Sequence, residues 1–239
     1  MQWATITGSS NGIGAALAEI FAKNGYSIIL HGRDESDLSE MYKKIISYGV
    51  EASIVRGEIS AKETLEDLTG HSIEKDIEVL INNVGYRCPG VPFEDMSSSQ
   101  IEEMLNVNCK IVTKLTKEIY KNFQRKRGGC IINMNSIRGL EPKKNRTLYT
   151  ATRFYLRGLS EALRLEGRNH NIRILSIYPA RVKTKPEFEY GWPVDEAAKK
   201  MYRLFAEGKN DDLILDCDEI PMHGQKTYPI KAEIYYLAG

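Results

Sequence analysis

Seven short runs rich in Ile, Val and Leu punctuate the chain, at about 2–7, 26–31, 52–55, 78–82, 130–134, 172–178 and 212–215. Near-continuous apolar runs of this length read as strands buried on both faces. Between and after them, apolar residues recur three and four positions apart near 12–24, 34–48, 61–69, 99–125, 147–168 and 194–207, the spacing of helices with one buried stripe. The alternation predicts an α/β chain with a mainly parallel sheet covered by helices on both faces. No repeat, low-complexity tract or Pro/Ser-rich linker divides the pattern, so residues 1–239 are expected to form one domain. Beyond Cys217 the pattern fades into turn residues and a short β-like end.

Composition adds limits to this picture. With 42% hydrophobic and 27% charged residues in 239, the chain can bury a core without staples, which excludes a disordered chain or a disulfide scaffold. No apolar run approaches the roughly 18 residues of a membrane span. Met1-Gln2-Trp3 leads straight into the first strand with neither a basic nor an apolar leader, so a cytoplasmic protein is expected. Lys and Arg number 33 against 32 Asp and Glu, and this near-balance argues against a nucleic-acid partner. The balance is uneven, because from Arg138 to Lys185 twelve cations face three carboxylates. Cys88, Cys109, Cys130 and Cys217 include no C-x-x-C, and His31, His71, His170 and His223 are equally scattered, so reduced thiols and no metal site are expected.

The first candidate chemistry lies between the first strand and the first helix, at Thr7-Gly8-Ser9-Ser10-Asn11-Gly12-Ile13-Gly14. Glycines at this junction permit a tight turn and let backbone N–H groups and a helix N-terminus approach a pyrophosphate, which makes it a candidate dinucleotide site. The second strand ends Leu30-His31-Gly32-Arg33. Gly32 stands where a carboxylate would bond a ribose 2′-hydroxyl, and Arg33 suits a 2′-phosphate, so NADP(H) is expected over NAD(H). The alternative leaves Arg33 as a solvated cation and Asp34 on the ribose. On the helix near 99–125, Asn108 falls on the apolar stripe, either as a satisfied core amide or as a site residue. Ser136 ends a β-like run, at the carboxyl end of a strand where ligands bind in open α/β sheets.

The loop's G-x-x-x-G-x-G spacing is followed in order by Asn82-Asn83-Val84-Gly85, Asn106-Val107-Asn108, Ile131-Ile132-Asn133-Met134-Asn135-Ser136, Tyr149 with Arg153 four residues on, and Pro179-Ala180-Arg181-Val182-Lys183-Thr184. Over about residues 1–208 this series resembles the short-chain dehydrogenase/reductase family. The corresponding family segments read T-G-x-x-x-G-I-G, N-N-A-G, a helical asparagine motif, a serine strand, Y-x-x-x-K and P-G-x-V-x-T. Residues 209–239 do not match the family's V-x-V-D-G-G ending.

The resemblance implies a Rossmann-type doubly wound parallel sheet in a single domain, and hydride transfer between a nicotinamide and a small-molecule carbonyl or secondary alcohol. It implies catalytic roles for Asn108 (a water in a proton relay), Ser136 (the substrate oxygen), Tyr149 (general acid/base) and the cation at Arg153. Cofactor contacts fall by resemblance on Gly8, Ser10, Asn11, Gly12, Ile13 and Gly14, then on Arg33, Glu58 and Ile59 around the adenosine. They continue at Asn83, Gly85, Tyr149, Arg153, Pro179, Val182 and Thr184. A homodimer or homotetramer through the helices near 99–125 and 147–168 is implied likewise.

The departure is Arg153, where the family carries Lys. At ~4 Å and an effective dielectric of ~20, a unit charge is worth about 4 kcal/mol, or roughly three pKa units on a phenol, so the electrostatic part of the role can survive. A planar fork must rearrange bonds to ribose hydroxyls, and it passes no proton. Two classes follow: an active oxidoreductase with altered proton handling, and a nucleotide-binding protein that has lost turnover. A methyltransferase would explain the glycine loop but not the interval from Ser136 to Tyr149. Around the expected substrate mouth stand Arg138, Lys143, Lys144, Arg146, Arg181, Lys183 and Lys185, either a basic mouth for an anionic substrate or a solvated rim. Phe188, Tyr190 and Trp192 form a lid, or Trp192-Pro193 staples the following helix.

Overall fold

The structure is a computed structural model that describes residues 2–184 and 189–216. Lys185, Phe188 and residues 217–239, with Cys217 and His223, lie outside the described residues. The seven apolar runs form β1 (Gln2–Ile6), β2 (Tyr26–Gly32), β3 (Ala52–Arg56), β4 (Val79–Asn82), β5 (Gly129–Met134), β6 (Ile172–Pro179) and β9 (Asp212–Leu215). They pair in parallel in the order β3-β2-β1-β4-β5-β6-β9. Burial explains the unbroken apolar character, since every residue of β2 and β4 is buried. A separate two-residue pair joins β7 (Val182–Lys183) to β8 (Trp192–Pro193).

Helices cover both faces. On one, α1 (Gly12–Lys23), α2 (Glu35–Ile46) and α7 (Val194–Ala206) bury Leu17, Phe21, Leu38, Ile45, Met201 and Phe205 in one apolar cluster. On the other, α3 (Lys62–Glu74) and α5 (Val112–Lys126) bury Leu68, Leu115, Ile119 and Phe123. Removing one such side chain from water contributes about 1.5–3 kcal/mol, which outweighs the modest helix propensities of the Thr and Tyr residues among them. α6 (Thr147–Gly167) follows β5 and leads back to β6. Strand order reverses between β1 and β4, and in open α/β sheets the crevice at such a reversal, beyond the carboxyl ends of the strands, receives the ligand.

Two helices differ from their sequence pattern. The helix expected near 61–69 runs on to Glu74, because Ser72 is buried and its hydroxyl pairs with Thr5 Oγ1 at 2.8 Å across to the sheet. The helix expected near 99–125 is broken into α4 (Ser98–Leu105), a π turn over Asn106–Ile111, and α5. The apolar stripe passes through the π turn, so the alternation of side chains alone does not reveal it. Asn108 lies inside that turn.

Candidate functional site

The loop after β1 is shaped by its glycines. Gly8 and Gly12 have φ of +65° and +57°, and a Cβ on Gly14 would lie 2.0 Å from the Gly8 carbonyl oxygen. Asn83, just beyond β4, donates from Nδ2 to the carbonyls of Thr7 and Gly8 at 2.9 and 3.0 Å. Thr7 Oγ1 accepts the N–H groups of Asn83 and Val84 at 2.8 and 3.0 Å, so the ends of β1 and β4 are laced together. Beside them opens a cleft of about 430 Å³ lined by Gly8, Ser10, Asn11, Arg33, Glu58, Ile59, Asn83 and Gly85 among others. A Cβ on Gly12 would sit 3.5 Å from Thr184, which brings the strand-end segment Pro179–Thr184 to the same loop. The glycine cradle, the cleft and the helix N-terminus fit a dinucleotide.

At the far end of the cleft, a Cβ on Gly32 would come within 2.9 Å of Ser10 Oγ, so a side chain here would have to displace Ser10. Arg33 pairs with Glu58 at 3.2 Å. Asp34 caps α2: its carboxylate accepts the Ser36 hydroxyl at 2.6 Å and the Asp37 N–H at 3.0 Å, contacts that hold its carboxyl below the usual range. His31, which the sequence pattern places merely inside an apolar run, is 2% exposed and accepts the Gly8 N–H at Nδ1 (3.1 Å). Burial pushes its pKa down to about 4. The Nδ1 contact requires the neutral ring, so His31 supports the loop as an uncharged acceptor.

The residues expected to carry chemistry are connected through bonds. Asn108 Oδ1 accepts the Tyr86 N–H at 2.7 Å, and its Nδ2 donates to the Tyr86 carbonyl at 2.8 Å and to Thr152 Oγ1 at 3.2 Å. Thr152 Oγ1 donates in turn to the Tyr149 carbonyl at 2.8 Å. Ser136 lies just beyond β5, where its Oγ accepts the Arg138 N–H at 3.2 Å and its own N–H donates to Asn135 Oδ1 at 2.9 Å. Asn135 Nδ2 donates to the Arg153 carbonyl at 3.1 Å, fastening the serine turn to α6. Thr152 and Asn135 went unmarked in the sequence because their roles exist only across elements.

Arg153 is 6% exposed. Its Nη1 donates to the Met134 carbonyl at 3.1 Å, its guanidinium lies over the Tyr149 ring at 4.8 Å, and its Nη2 is 2.4 Å from where a Cβ on Gly85 would stand. A side chain at 85 would have to displace this head group.

The basic block divides. Arg157 pairs with Glu161, Arg164 with Asp212, and Arg173 donates to the Phe205 carbonyl, all away from the serine turn. Trp192 is buried and donates from Nε1 to the Asp216 carbonyl at 2.8 Å just before α7, which agrees with the staple rather than the lid. Tyr190 is exposed, with the Arg181 guanidinium over its ring at 3.9 Å. Among the described residues no group of His, Cys, Asp and Glu is arranged to hold a metal, and no helix is long and apolar enough to cross a membrane.

The sequence pattern described as short chain dehydrogenase matches residues 2–189. The chain is 33% identical over 192 residues to 17-beta-hydroxysteroid dehydrogenase type 3 of Danio rerio, an alignment covering 77% of this chain and 61% of that one. It therefore spans less than two thirds of that relative's length. With an uncharacterized oxidoreductase of Staphylococcus saprophyticus it shares 32% identity over 213 residues, 84% of this chain and 90% of the other. In three dimensions it resembles a short-chain dehydrogenase from Sphingobium yanoikuyae in complex with NADPH, with a TM-score of 0.83, 25% identity, and coverage of 93% of this chain and 89% of that one.

Proposed function

The chain belongs to the short-chain dehydrogenase/reductase family, and we propose that it is an NADP(H)-dependent oxidoreductase that interconverts a small-molecule carbonyl and the corresponding secondary alcohol. The observation that carries this reading is the convergence of Asn108, Ser136 and Arg153 on the start of α6: Asn108 reaches Thr152 and through it the Tyr149 backbone carbonyl, Arg153 lies over the Tyr149 ring, and the Ser136 turn is fastened to the Arg153 carbonyl. A nicotinamide bound in the cleft supplies or accepts the hydride.

Ser136 Oγ accepts from the Arg138 amide, so its own proton is free to donate to the substrate oxygen. Tyr149 gives that oxygen a proton in reduction and takes it back in oxidation. Arg153 places a fixed positive charge over the ring and passes no proton of its own. Both N–H groups of the Asn108 amide are committed to protein, so a relay water meets the side chain only through the second lone pair of Oδ1. Gly8, Ser10, Asn11, Gly12, Ile13 and Gly14 would hold the pyrophosphate of the cofactor, with Pro179, Val182 and Thr184 on the segment that meets the loop at Gly12. Glu58 and Ile59 border the adenine, and Asn83 and Gly85 the nicotinamide half.

Preference for NADP(H) over NAD(H) is supported by the space Ser10 occupies against Gly32, by the use of Asp34 as a helix cap, and by Arg33 at the cleft. The NADPH in the Sphingobium structure agrees with it. The reading of a nucleotide-binding protein without turnover draws on one observation, the commitment of Arg153 to Met134 and Tyr149. A panel of ketones and aldehydes followed by loss of reduced-nicotinamide absorbance, with NADPH and NADH in parallel, separates the two. Turnover with NADPH at the lower KM is expected; tight NADPH binding without turnover of any member would favour the second reading.

A homodimer or homotetramer through α5 and α6 belongs to the same proposal. Phe154, Gly158, Ala162 and Leu165 are exposed along one side of α6, an apolar face suited to a second copy. The free thiols of Cys88, Cys109 and Cys130 suit a cytoplasmic location.

A further inference from the structure

Half-buried guanidinium groups elsewhere in the molecule meet carboxylates or carbonyls that offset their lost hydration: Glu161 for Arg157, Asp212 for Arg164, and the carbonyls of Phe205 and Lys209 for Arg173. Arg138 and Arg146 are half-buried too, with fewer partners: among the described residues neither meets a carboxylate, and Arg146 meets the single carbonyl of Cys88. Arg138 hydrogen-bonds through its backbone N–H to Ser136 Oγ, which fixes its Cα two residues from the proposed substrate-oxygen donor. Arg146 donates from Nη1 to the Cys88 carbonyl at 2.6 Å, and its Nε lies 3.3 Å from where Gly90 would carry a Cβ. It is therefore held between the segment that follows β4 and the start of α6 rather than trailing into solvent. A guanidinium has five N–H donors, and one carbonyl leaves most of them unused.

Arg146 is the N-cap of α6, three residues before Tyr149, so its backbone stands about one turn, ~5 Å, from that of Tyr149. The segment from Ser136 to Tyr149 holds Arg138, Lys143, Lys144 and Arg146 against the single carboxylate Glu141, and Arg87 lies on the facing segment. No ion pair among the described residues joins Glu141 to any of them.

We infer that the substrate of this site carries an oxyanion, a carboxylate or a phosphate, a few atoms from its carbonyl, and that Arg146 and Arg138 receive it. The inference rests on the oxidoreductase reading and adds the substrate class to it. The planar fork of Arg146 binds such a group in two places at once, and the exposed lysines around it steer the approach of an anion. A neutral carbonyl compound of the same shape leaves both guanidinium groups without a counter-charge among the described residues.

The test is a series of ketones presented as keto acids and as their methyl esters, with the distance from carbonyl to carboxyl varied from one to five carbons. A second arm compares keto-phosphates with the dephosphorylated hydroxyketones and identifies which oxyanion is preferred. With NADPH, kcat/KM is expected to favour one anionic series over its neutral partner by about ten- to a hundredfold, mostly through KM, and the preference should shrink as salt is raised. Arg146→Gln and, separately, Arg138→Gln are expected to bring the anionic-to-neutral ratio close to one, while Arg146→Lys restores part of it. Because the readout is a ratio of two substrates on one protein sample, a partly folded variant does not imitate the result. A ratio near one in wild-type protein, or a ratio that survives both substitutions, overturns the inference and leaves the oxidoreductase reading standing. If neither series oxidises NADPH in protein that binds it, that reading falls and the inference with it.

Discussion

Arg153 is the residue at which this chain departs furthest from the motif it otherwise follows, and its surroundings bear on whether the change is damage or adaptation. The guanidinium is nearly buried, donates to the Met134 carbonyl, lies over Tyr149 and rests on Gly85. A lysine there would lose the fork, the stacking and the contact to Gly85, and would leave a poorly filled space. Arg153→Lys is thus expected to lower kcat by about ten- to a hundredfold, the equivalent of one lost charge-assisted hydrogen bond; a rise in kcat would mark Arg153 as a degraded lysine. At the other end of the cleft, Arg33→Ala should weaken NADPH binding by about tenfold or more and leave NADH almost unaffected, as titration calorimetry with each cofactor would report. Much of this site is legible in the chain, because Gly8, Gly14, Ser136 and Tyr149 are recognisable by type and interval. Thr152, Asn135 and His31 are not, since a buried Thr, Asn or His is ordinary until its partner on another element is known.

Among the elements, the strands were the easiest to read and the helix carrying Asn108 the hardest. All seven strands of the main sheet lie where the apolar runs fall, because the inner strands are buried on both faces and even the edge strands β3 and β9 keep a buried side. The π turn at Asn106–Ile111 escapes such reading, for it inserts its extra residue without changing which side chains are apolar. Its effect is to hold Asn108 where the amide can reach both backbone groups of Tyr86 and the hydroxyl of Thr152. Asn108→Ala would leave the Tyr86 N–H and carbonyl without those partners, at about 1–3 kcal/mol each if they stay dry. The variant is expected to show a lower Tm and a lower kcat together. A normal Tm with unchanged kcat would show that the turn keeps its geometry without the amide.

For the whole molecule, the consequence most open to measurement is the dependence of stability on pH. His31 has a folded pKa near 4 against an ordinary 6.5, so the unfolded chain binds the extra proton throughout that interval. Its contribution is present above about pH 6.5 and is lost as the pH falls toward 4, up to roughly 3 kcal/mol by linkage. His31→Asn keeps an acceptor for the Gly8 N–H and cannot titrate, so its Tm should fall less steeply than wild type between pH 6.5 and 4. Parallel slopes would show that other groups control acid stability. The +1 net charge proves a poor guide at this scale, because the cations of the block are divided between arginines partnered on the far parts of α6 and β6 and cations near Ser136 that meet no carboxylate among the described residues. Assembly also belongs here: Gly158 has open space around a would-be Cβ, so Gly158→Arg should leave the fold intact and convert an α6-mediated dimer into a monomer in sedimentation. An unchanged oligomer would place the contact elsewhere.

The central claim is that Tyr149 moves the proton while the cleft holds the cofactor, and one variant addresses it directly. Tyr149→Phe keeps the ring under Arg153 and removes only the hydroxyl. NADPH binding, followed by nicotinamide fluorescence, should stay within about twofold of wild type, while turnover of any carbonyl substrate found should fall by roughly 10²–10⁴-fold. Turnover at the wild-type rate with phenylalanine at 149 would contradict the assignment.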